Sequence, residues 1–457
     1  MQVPHHAFRE YDIRGHAERD LTTPLAEALG RGFGTMVGAS LGRARVAVAR
    51  DCRLSSPRLH GALVAGLEAS GCEVIDVGVG PSPLLYFAAH HLRTDGAVMV
   101  TGSHNPPDEN GFKMMRGPAP FFGRDIVALR ELVESGRFAA GAGSVREQTI
   151  DDDYVAALKA GVELAGPLPF KVVLDAGNGA GGPLAARAFA ACGVEAEYLY
   201  CDMDGRFPNH HPDPTQPENL RALVGRVRAS GARAGLAFDG DADRLGVVDE
   251  RGEVLWGDRL LLLFARRLLR ERPGAAVIGE VKCSQVLYDD IAARGGRPIL
   301  WKTGHSLIKT KMKEEGALLA GEMSGHLFFA DRWFGFDDAI YAALRFVELL
   351  AEGGASPREL LADVPATSVT PELRVPCPDA LKFRAVEAIV RRYGATHEVV
   401  DVDGARILFG GGAWGLVRAS NTQPVLVLRF EAESDARRDA LRAEVEAALA
   451  EELARLQ

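Results

Sequence analysis

The chain has 457 residues, 47% of them hydrophobic and 25% charged, and a net charge of -9. That is an ordinary globular mix, with room for two to four domains of roughly 100–200 residues each. The acidic balance excludes nucleic acid as the main partner, because a phosphate backbone needs a basic face. A local cluster of Arg and Lys can still hold one small phosphate on an acidic protein.

The first residues, MQVPHHAFREYDIRG, lack the apolar core of a secretory signal. No apolar run reaches the roughly 18 residues that cross a bilayer. A cytoplasmic protein with no membrane partner is expected. Cys52, Cys72, Cys192, Cys201, Cys283 and Cys377 form no CxxC pair and read as free thiols in a reducing compartment.

Ala44–Ala49, Glu73–Val79 and Ala97–Val100 read as buried strands, with a helix at Pro57–Ser70 between the first two. This alternation predicts an α/β unit over residues 1–150 with a parallel or mixed sheet. A second unit, 151–254, has a helix at Asp153–Leu164 and strands at Phe170–Leu174, Gly235–Phe238 and Leu245–Val248. A third, 255–366, has a helix at Asp258–Arg270 and strands at Ala275–Gly279, Ile299–Lys302 and Ala317–Ala320. The last unit, 367–457, differs, with strands at Val399–Val402, Ile407–Phe409, Trp414–Arg418 and Val425–Phe430 and a charged helix at Asp435–Leu456. That is a smaller α+β pattern whose final helix is expected to cover a sheet. The three α/β units share size and order, which suggests triplication, although no sequence repeat is visible.

Four short loops carry chemistry. Thr101-Gly-Ser-His-Asn-Pro-Pro107 follows a buried strand and runs on through Asp108-Glu-Asn-Gly-Phe-Lys113. Its glycines and prolines make a rigid loop, and strand ends are where α/β folds place reacting groups. Ser103 lies there beside His104; a serine-capped turn is the plain alternative. There is no G-x-S-x-G elbow to support a serine hydrolase.

Asp239-Gly-Asp-Ala-Asp-Arg244 lies between two apolar runs. Three carboxylates at alternate positions can converge on a hard cation such as Mg²⁺. The spacing also resembles a calcium loop, but Arg244 stands where that loop needs glycine, and the flanks are strands. Gly321-Glu-Met-Ser-Gly-His326 offers a carboxylate, a hydroxyl and an imidazole, which suit sugar hydroxyls or an ordinary polar turn. Arg418-Ala-Ser-Asn-Thr422 offers a guanidinium with hydroxyl and amide donors, enough to enclose a phosphate or to make a solvated turn. Gly177-Asn-Gly-Ala-Gly-Gly182 fits a dinucleotide fingerprint, with Glu197 twenty residues on. No hydride-transfer constellation accompanies it, so it reads as a tight turn opening a helix.

In this order the clusters resemble the α-D-phosphohexomutase family. The resemblance spans essentially the whole chain. It starts at Phe8-Arg-Glu-Tyr-Asp-Ile-Arg-Gly15, includes Arg50-Asp-Cys-Arg-Leu-Ser-Ser56 and Lys302-Thr-Gly-His305, and ends at the RASNT loop. It implies three related α/β domains and a smaller C-terminal α+β domain around one cleft. It implies that Ser103 is phosphorylated, and that Asp239, Asp241 and Asp243 hold Mg²⁺ together with a phosphoserine oxygen. Arg244 would lie near the phosphoserine, and Glu322 and Ser324 would bind the 3- and 4-hydroxyls of the sugar. Arg418, Ser420, Asn421 and Thr422 would grip the distal phosphate. Tyr11, Arg14, Lys113, Lys282, His305 and His326 would line the site.

The implied reaction interconverts the 1- and 6-phosphates of mannose or glucose through a hexose 1,6-bisphosphate, which also serves as activator. Lys113 and His104, then Arg14 and His326, are candidates for moving the proton. A monomer whose partners are small sugar phosphates is expected. The alternatives are a phosphoglucosamine mutase, against which Met323 argues because that branch usually carries glutamine there, and a non-catalytic sugar-phosphate-binding protein.

Overall fold

Seven strands make the first sheet: β1 (Ile13–His16), β2 (Arg45–Arg50), β3 (Glu73–Val79), β4 (Gly96–Val100), β5 (Glu109–Arg116), β6 (Ala119–Pro120) and β7 (Ser144–Glu147). The computed structural model describes residues 1–39, 43–164, 166–420 and 423–456. The strand order is β1-β5-β4-β2-β3-β7, with β6 paired to β5. β2 runs parallel to β3 and β4, whereas β5 is antiparallel to β4. Successive residues of β2 face opposite cores, as a two-residue pleat requires. Val46 and Val48 join the core with Leu29 and Leu63, while Ala47 and Ala49 join the one with Leu84 and Leu85. A strand buried on both faces reads as a continuous apolar run, which is why RVAVAR is legible in the sequence.

The second sheet holds β8 (Val172–Asp175), β9 (Ala196–Leu199), β10 (Ala234–Phe238), β11 (Leu245–Asp249) and β12 (Val254–Leu255), in the order β12-β11-β10-β8-β9. The third holds β13 (Ala276–Glu280), β14 (Arg297–Trp301), β15 (Leu319–Gly321) and β16 (Leu327–Phe329), in the order β14-β13-β15-β16.

One motif recurs in all three. The first strand lies between the second and third, parallel to both, and the fourth returns antiparallel to the third. It is β3-β2-β4-β5, then β9-β8-β10-β11, then β14-β13-β15-β16. The triplication expected from unit size is present in this strand order. The hairpin between third and fourth strands carries the serine loop in the first domain, the aspartate loop in the second and the Glu322 loop in the third.

The fourth sheet is antiparallel: β17 (Ser368–Val369), β18 (Leu373–Pro376), β19 (Glu398–Val400), β20 (Ala405–Gly410), β21 (Ala413–Ala419) and β22 (Val425–Ala432). The final helix, Asp435–Leu456, covers it through Leu441, Val445, Ala448 and Leu449. One apolar core joins residues of the first three domains, and the helix Ala339–Gly353 is buried within it from Ala339 to Leu350. The fourth domain has its own core.

Two sequence expectations shift. Lys113 falls inside β5 rather than in the serine loop, so its side chain is aimed by a ladder to β4 in which Met99 pairs with Lys113. The helix expected at Asp153–Leu164 spans Asp151–Ala160, because three aspartates in its first turn favour the positive helix end. None of the six cysteines forms a disulfide. No helix among the described residues is long and apolar enough to cross a membrane.

Candidate active site

Ser103 occupies the left-handed region, with φ +49, and is 2% exposed. A non-glycine residue held there costs of order 1–3 kcal/mol and persists only when its surroundings over-determine it. They do. The buried Arg53 guanidinium donates to the carbonyls of Ser103 (2.7 Å), Asn105 (2.6 Å), Pro106 (2.5 Å) and Glu109 (3.0 Å). Asp51 Oδ2 lies 3.3 Å from Arg53 Nε and accepts the Gly102 N–H at 3.1 Å. Ser103 Oγ donates to Asp239 Oδ2 at 2.7 Å and lies 3.0 Å from His104 Nδ1. Burial and the nearby Arg244 guanidinium hold the His104 imidazole well below the ordinary histidine range, so its ring is neutral near pH 7.

The aspartate loop meets the serine loop at Gly240. A Cβ there would stand 2.2 Å from the Ser103 carbonyl oxygen, so only glycine lets the two loops touch. Carboxylate oxygens of Asp239, Asp241 and Asp243 lie within 4.8 Å of one another, and all three residues are buried. The backbone N–H groups of Asp243 and Arg244 donate to Asp239 Oδ1. Lys113 Nζ donates to Asp241 Oδ2 at 2.6 Å and to Asp243 Oδ2 at 2.5 Å. Ser82 Oγ, at the start of the helix Ser82–His91, also donates to Asp241 Oδ2 at 2.5 Å. Burial opposes the Lys113 charge, but the two aspartates outweigh it and hold the ammonium well above the ordinary lysine range.

This set fits a divalent cation. Every candidate ligand is a hard oxygen, the choice that suits Mg²⁺. Asp241 Oδ1 and Asp243 Oδ1 are buried with no hydrogen-bond donor. Burial and the charges of Asp243 and Asp241 push the Asp239 carboxyl well above its usual range, a strain that a cation would relieve.

In the Glu322 loop, Glu322 Oε1 accepts the Gly304 N–H at 2.6 Å and Oε2 accepts the Ser324 hydroxyl at 3.0 Å. Gly304, at φ +130, lies against Tyr11; a Cβ there would stand 2.6 Å from Tyr11 Cζ. The Tyr11 hydroxyl donates to the Thr303 carbonyl at 3.0 Å. His305 meets Tyr11 edge-on at 6.2 Å and stacks on His326 at 5.8 Å, so the three rings make one wall. Arg244 Nε donates to His326 Nε2 at 3.0 Å.

Arg418 reaches this wall from the fourth domain. Its Nε and Nη2 lie 3.1 and 3.0 Å from Asp403 Oδ2, which also accepts the Thr303 N–H at 3.0 Å. Ser420 Oγ accepts the Gln423 N–H, and its carbonyl accepts Lys382 Nζ at 2.6 Å. Lys282 Nζ donates to Glu372 Oε2 at 3.1 Å. Arg14 pairs with Asp12 through Nε at 2.7 Å and donates to Asn105 Oδ1 at 3.2 Å. Asn421 and Thr422 lie outside the described residues.

The contacts thus link Ser103, His104, Lys113 and Arg244 with the aspartates, and Arg14 joins them through Asn105 of the serine loop. They link Tyr11, His305, His326, Glu322 and Ser324 with Arg418 through the Thr303–Gly304 strip. Sequence reasoning gave no role to Arg53, Asp51, Ser82, Lys309, Asp337, Lys382 or Asp403. The motif Arg50–Ser56 was a signal for the first two; the others stand in no motif. The Gly177–Gly182 turn opens the helix Gly182–Ala191, and Glu197 is engaged by Lys171 and Arg226, so nothing there holds a ribose.

Four family descriptions match in chain order. Phosphoglucomutase/phosphomannomutase alpha/beta/alpha domain I matches residues 5–139, domain II residues 152–252, domain III residues 256–367 and the C-terminal domain residues 372–448. The chain is 47% identical over 435 residues to a phosphomannomutase/phosphoglucomutase of Pseudomonas aeruginosa, covering 95% of this chain and 93% of the relative. It is 46% identical to a phosphoglucomutase of Neisseria gonorrhoeae, covering 94% and 93%. A crystal structure of a phosphoglucomutase/phosphomannomutase family protein from Burkholderia thailandensis superposes with TM-score 0.93 at 45% identity, covering 99% of this chain and 98% of that one. With all four domains matched and a relative 47% identical across 95% of the chain, the chain belongs to the phosphoglucomutase/phosphomannomutase family.

Proposed function

We propose that the protein is a phosphohexomutase that interconverts hexose 1-phosphate and hexose 6-phosphate through phosphorylated Ser103. The observation that carries this reading is the Ser103 hydroxyl, 2.7 Å from Asp239 in a buried three-aspartate cluster. A hydroxyl poised on a cation site suits phosphoryl transfer, which needs in-line positioning and charge neutralisation.

Asp239, Asp241 and Asp243 would hold Mg²⁺ with an oxygen of the phosphoserine. When bound, the cation supplies positive charge against the phosphoryl oxygens. Arg244 adds a guanidinium on the same side. The serine P–O bond breaks as the P–O bond to the free sugar hydroxyl forms, giving a hexose 1,6-bisphosphate. The hydroxyl proton leaves to a base: of His104, Lys113, Arg14 and His326, the two imidazoles can take it, whereas Lys113 stays an ammonium between Asp241 and Asp243 and Arg14 stays a guanidinium on Asp12. His104 Nδ1 lies 3.0 Å from Ser103 Oγ. The bisphosphate turns end over end and returns its other phosphoryl to Ser103. Added hexose 1,6-bisphosphate therefore activates any unphosphorylated enzyme.

Glu322 and Ser324 would hold the sugar's 3- and 4-hydroxyls. Arg418, Ser420, Asn421 and Thr422, with Lys282 nearby, would grip the phosphate that does not react. Tyr11, His305 and His326 would wall the cleft. We place domain limits at 1–150, 151–254, 255–366 and 367–457, and take the protein as a cytoplasmic monomer whose partners are sugar phosphates. Intact-mass measurement of fresh protein should show a phosphate adduct that Ser103→Ala lacks, with most mutase activity lost. A fully active Ser103→Ala enzyme phosphorylated elsewhere would refute the assignment. A coupled assay on glucose, mannose and glucosamine 1-phosphates separates the glucose/mannose reading from a glucosamine mutase and from a binding protein.

A further inference from the structure

The first strand of the repeated motif ends, in each α/β domain, at a buried carboxylate. Asp51 follows β2, Asp175 ends β8 and Glu280 ends β13, and none is more than 2% exposed. In all three, one oxygen accepts the N–H two residues on: Arg53 at 3.0 Å, Gly177 at 2.9 Å and Lys282 at 3.0 Å. The first strand pairs with the third, so its end lies beside the hairpin loop that the third strand enters. In the first and third domains the other oxygen is spent on that loop. Asp51 Oδ2 accepts the Gly102 N–H of the serine loop at 3.1 Å, and Glu280 Oε1 accepts the Met323 N–H of the Glu322 loop at 3.3 Å. Asp175 turns instead to the His210 imidazole, 3.0 Å away.

Glu280 also reaches a third loop. Its Oε2 accepts the Thr303 hydroxyl at 2.7 Å. The next residue, Gly304, gives its N–H to Glu322 Oε1 at 2.6 Å. These bonds close a ring that runs from Glu280 to Met323, along the chain to Glu322, across to Gly304, along the chain to Thr303 and back to Glu280. Met323 stands between Glu322 and Ser324, the two residues read above as partners of the sugar hydroxyls. Thr303 also gives its N–H to Asp403 of the fourth domain and accepts the Tyr11 hydroxyl of the first. The completely buried Glu280 therefore lies behind the Glu322 loop, where it meets no substrate but sets where the loop stands.

We propose that Glu280 is a positioning residue, which holds Glu322 and Ser324 at the spacing that two adjacent hydroxyls of a hexose require. This rests on the mutase reading above. The donors make the case for a carboxylate. The N–H groups of Met323 and Lys282 lie on different oxygens, and a backbone N–H cannot become an acceptor. Glutamine has the same shape but one acceptor oxygen. Whichever way its amide turns, one of those N–H groups faces another N–H. A buried donor without a partner is costly, so the loop must shift to relieve it.

The competing role for Glu280 is a strand-end cap that stabilises the fold and is indifferent to the sugar. Binding separates the two. In protein carrying Ser103→Ala, calorimetry compares glucose 1-phosphate with 3-deoxyglucose 1-phosphate. With Glu280 in place, the 3-deoxy compound should bind about 10- to 100-fold more weakly, because it leaves a charged acceptor unpaired. A ratio near one overturns the proposal without any change at Glu280. Glu280→Gln should lower the ratio by at least about threefold, chiefly by weakening glucose 1-phosphate, as expected when a binding group is misplaced. A cap alone would lower the unfolding midpoint and leave the ratio as it was, so an unchanged ratio in folded Glu280→Gln protein overturns the proposal.

Glu280→Asp keeps both acceptor oxygens and should retain more of the ratio than glutamine does; an aspartate variant no better than glutamine overturns the need for a carboxylate. Should the glutamine variant not fold, Thr303→Val opens the same ring at a single bond. It should lower the ratio in the same direction, and an unchanged ratio there overturns the proposal equally. Wild-type protein that binds glucose 1-phosphate but shows no mutase activity with hexose 1,6-bisphosphate present would sink the mutase reading alone, and the binding ratio would still decide the role of Glu280. Protein that binds neither sugar phosphate overturns both.

Discussion

The guanidinium of Arg53 spans four backbone carbonyls of the serine loop and lies 5.1 Å from the Phe207 ring of the second domain. It holds Ser103 in its left-handed conformation from beneath. Replacing it with methionine keeps much of the volume but leaves those carbonyls without their donor and Asp51 without its cationic neighbour. Breaking a buried charged pair costs roughly 3–5 kcal/mol. Arg53→Met should therefore lower the thermal unfolding midpoint measurably and slow Ser103 phosphorylation by hexose 1,6-bisphosphate. Normal stability and normal phosphorylation would show that the loop holds itself. Asp241 is a different case. Its Oδ1 has no donor and its Oδ2 is shared by Ser82 and Lys113, so its charge is directed at the site and not at the fold. Asp241→Asn should cut kcat by about 10²- to 10³-fold, the scale for one preorganised electrostatic group, and weaken Mg²⁺ binding by titration calorimetry. The aspartates were legible because they alternate within six residues between two apolar runs. The role of Arg53 was not, although it stands in the motif Arg50–Ser56, because it binds carbonyls of a segment fifty residues away, and no local pattern announces that.

Three hairpins at equivalent strand pairs supply the serine, aspartate and Glu322 loops, and each follows an apolar strand that the sequence marks, although the return strands Glu109–Arg116 and Leu327–Phe329 were not foreseen. That is why the loops and most strand positions were readable, and why the repetition behind them showed in unit size and order but in no sequence repeat. The repeat lies in the pairing order, which depends on contacts between distant strands and leaves residue identity free. The fourth domain is joined to the third by polar ties of the same hidden kind. Glu431 accepts from Ser284 Oγ (2.6 Å), Gln285 N (3.1 Å), Thr367 Oγ1 (2.6 Å) and Trp414 Nε1 (2.6 Å). Lys282 adds its bond to Glu372, and its charge holds the Glu372 carboxyl down to about 2 from an ordinary 4.5. A carboxyl depressed in the folded protein stabilises it fully above its unfolded value. That contribution fades as pH falls from 4.5 toward 2. The tie is worth at most about 3 kcal/mol before solvent screening. The gap in unfolding midpoint between wild type and Glu372→Gln should be constant above about pH 5 and narrow below it. A gap that widens on acidification would assign the effect to some other group.

At the scale of the molecule, one core unites three domains, while the fourth has its own core and meets the third through a small cluster of Val281, Trp414 and Leu416 and the polar ties above, so a hinge movement of the fourth would disturb less apolar packing than a movement of the other three. On the proposed reading, the reacting end of the cleft lies between the first two domains and the distal grip in the fourth, with Glu322 and Ser324 between them. A substrate that turns end over end exchanges its two phosphates across this frame, while its 3- and 4-hydroxyls, adjacent on the ring, return to a similar pair of partners. Glucose and mannose differ only at the 2-hydroxyl, which meets different surroundings in the two orientations. Strong rejection requires a buried group to be left unpaired, and a position that changes partners cannot be read in that way. Both sugar phosphates should therefore be turned over, with kcat/KM values within about two orders of magnitude. Glu322→Gln removes a charged acceptor that already holds Gly304 and Ser324 in place. It should depress both sugars together by about 10- to 100-fold, as expected for loss of a charge-assisted hydrogen bond plus some misplacement. The deciding measurement is kcat/KM for glucose 1-phosphate and mannose 1-phosphate in wild type and variant. Near-complete rejection of one sugar by the wild type, or a variant that impairs only one, would mean that the 2-hydroxyl is read after all and that the substrate is held elsewhere than at its 3,4-edge.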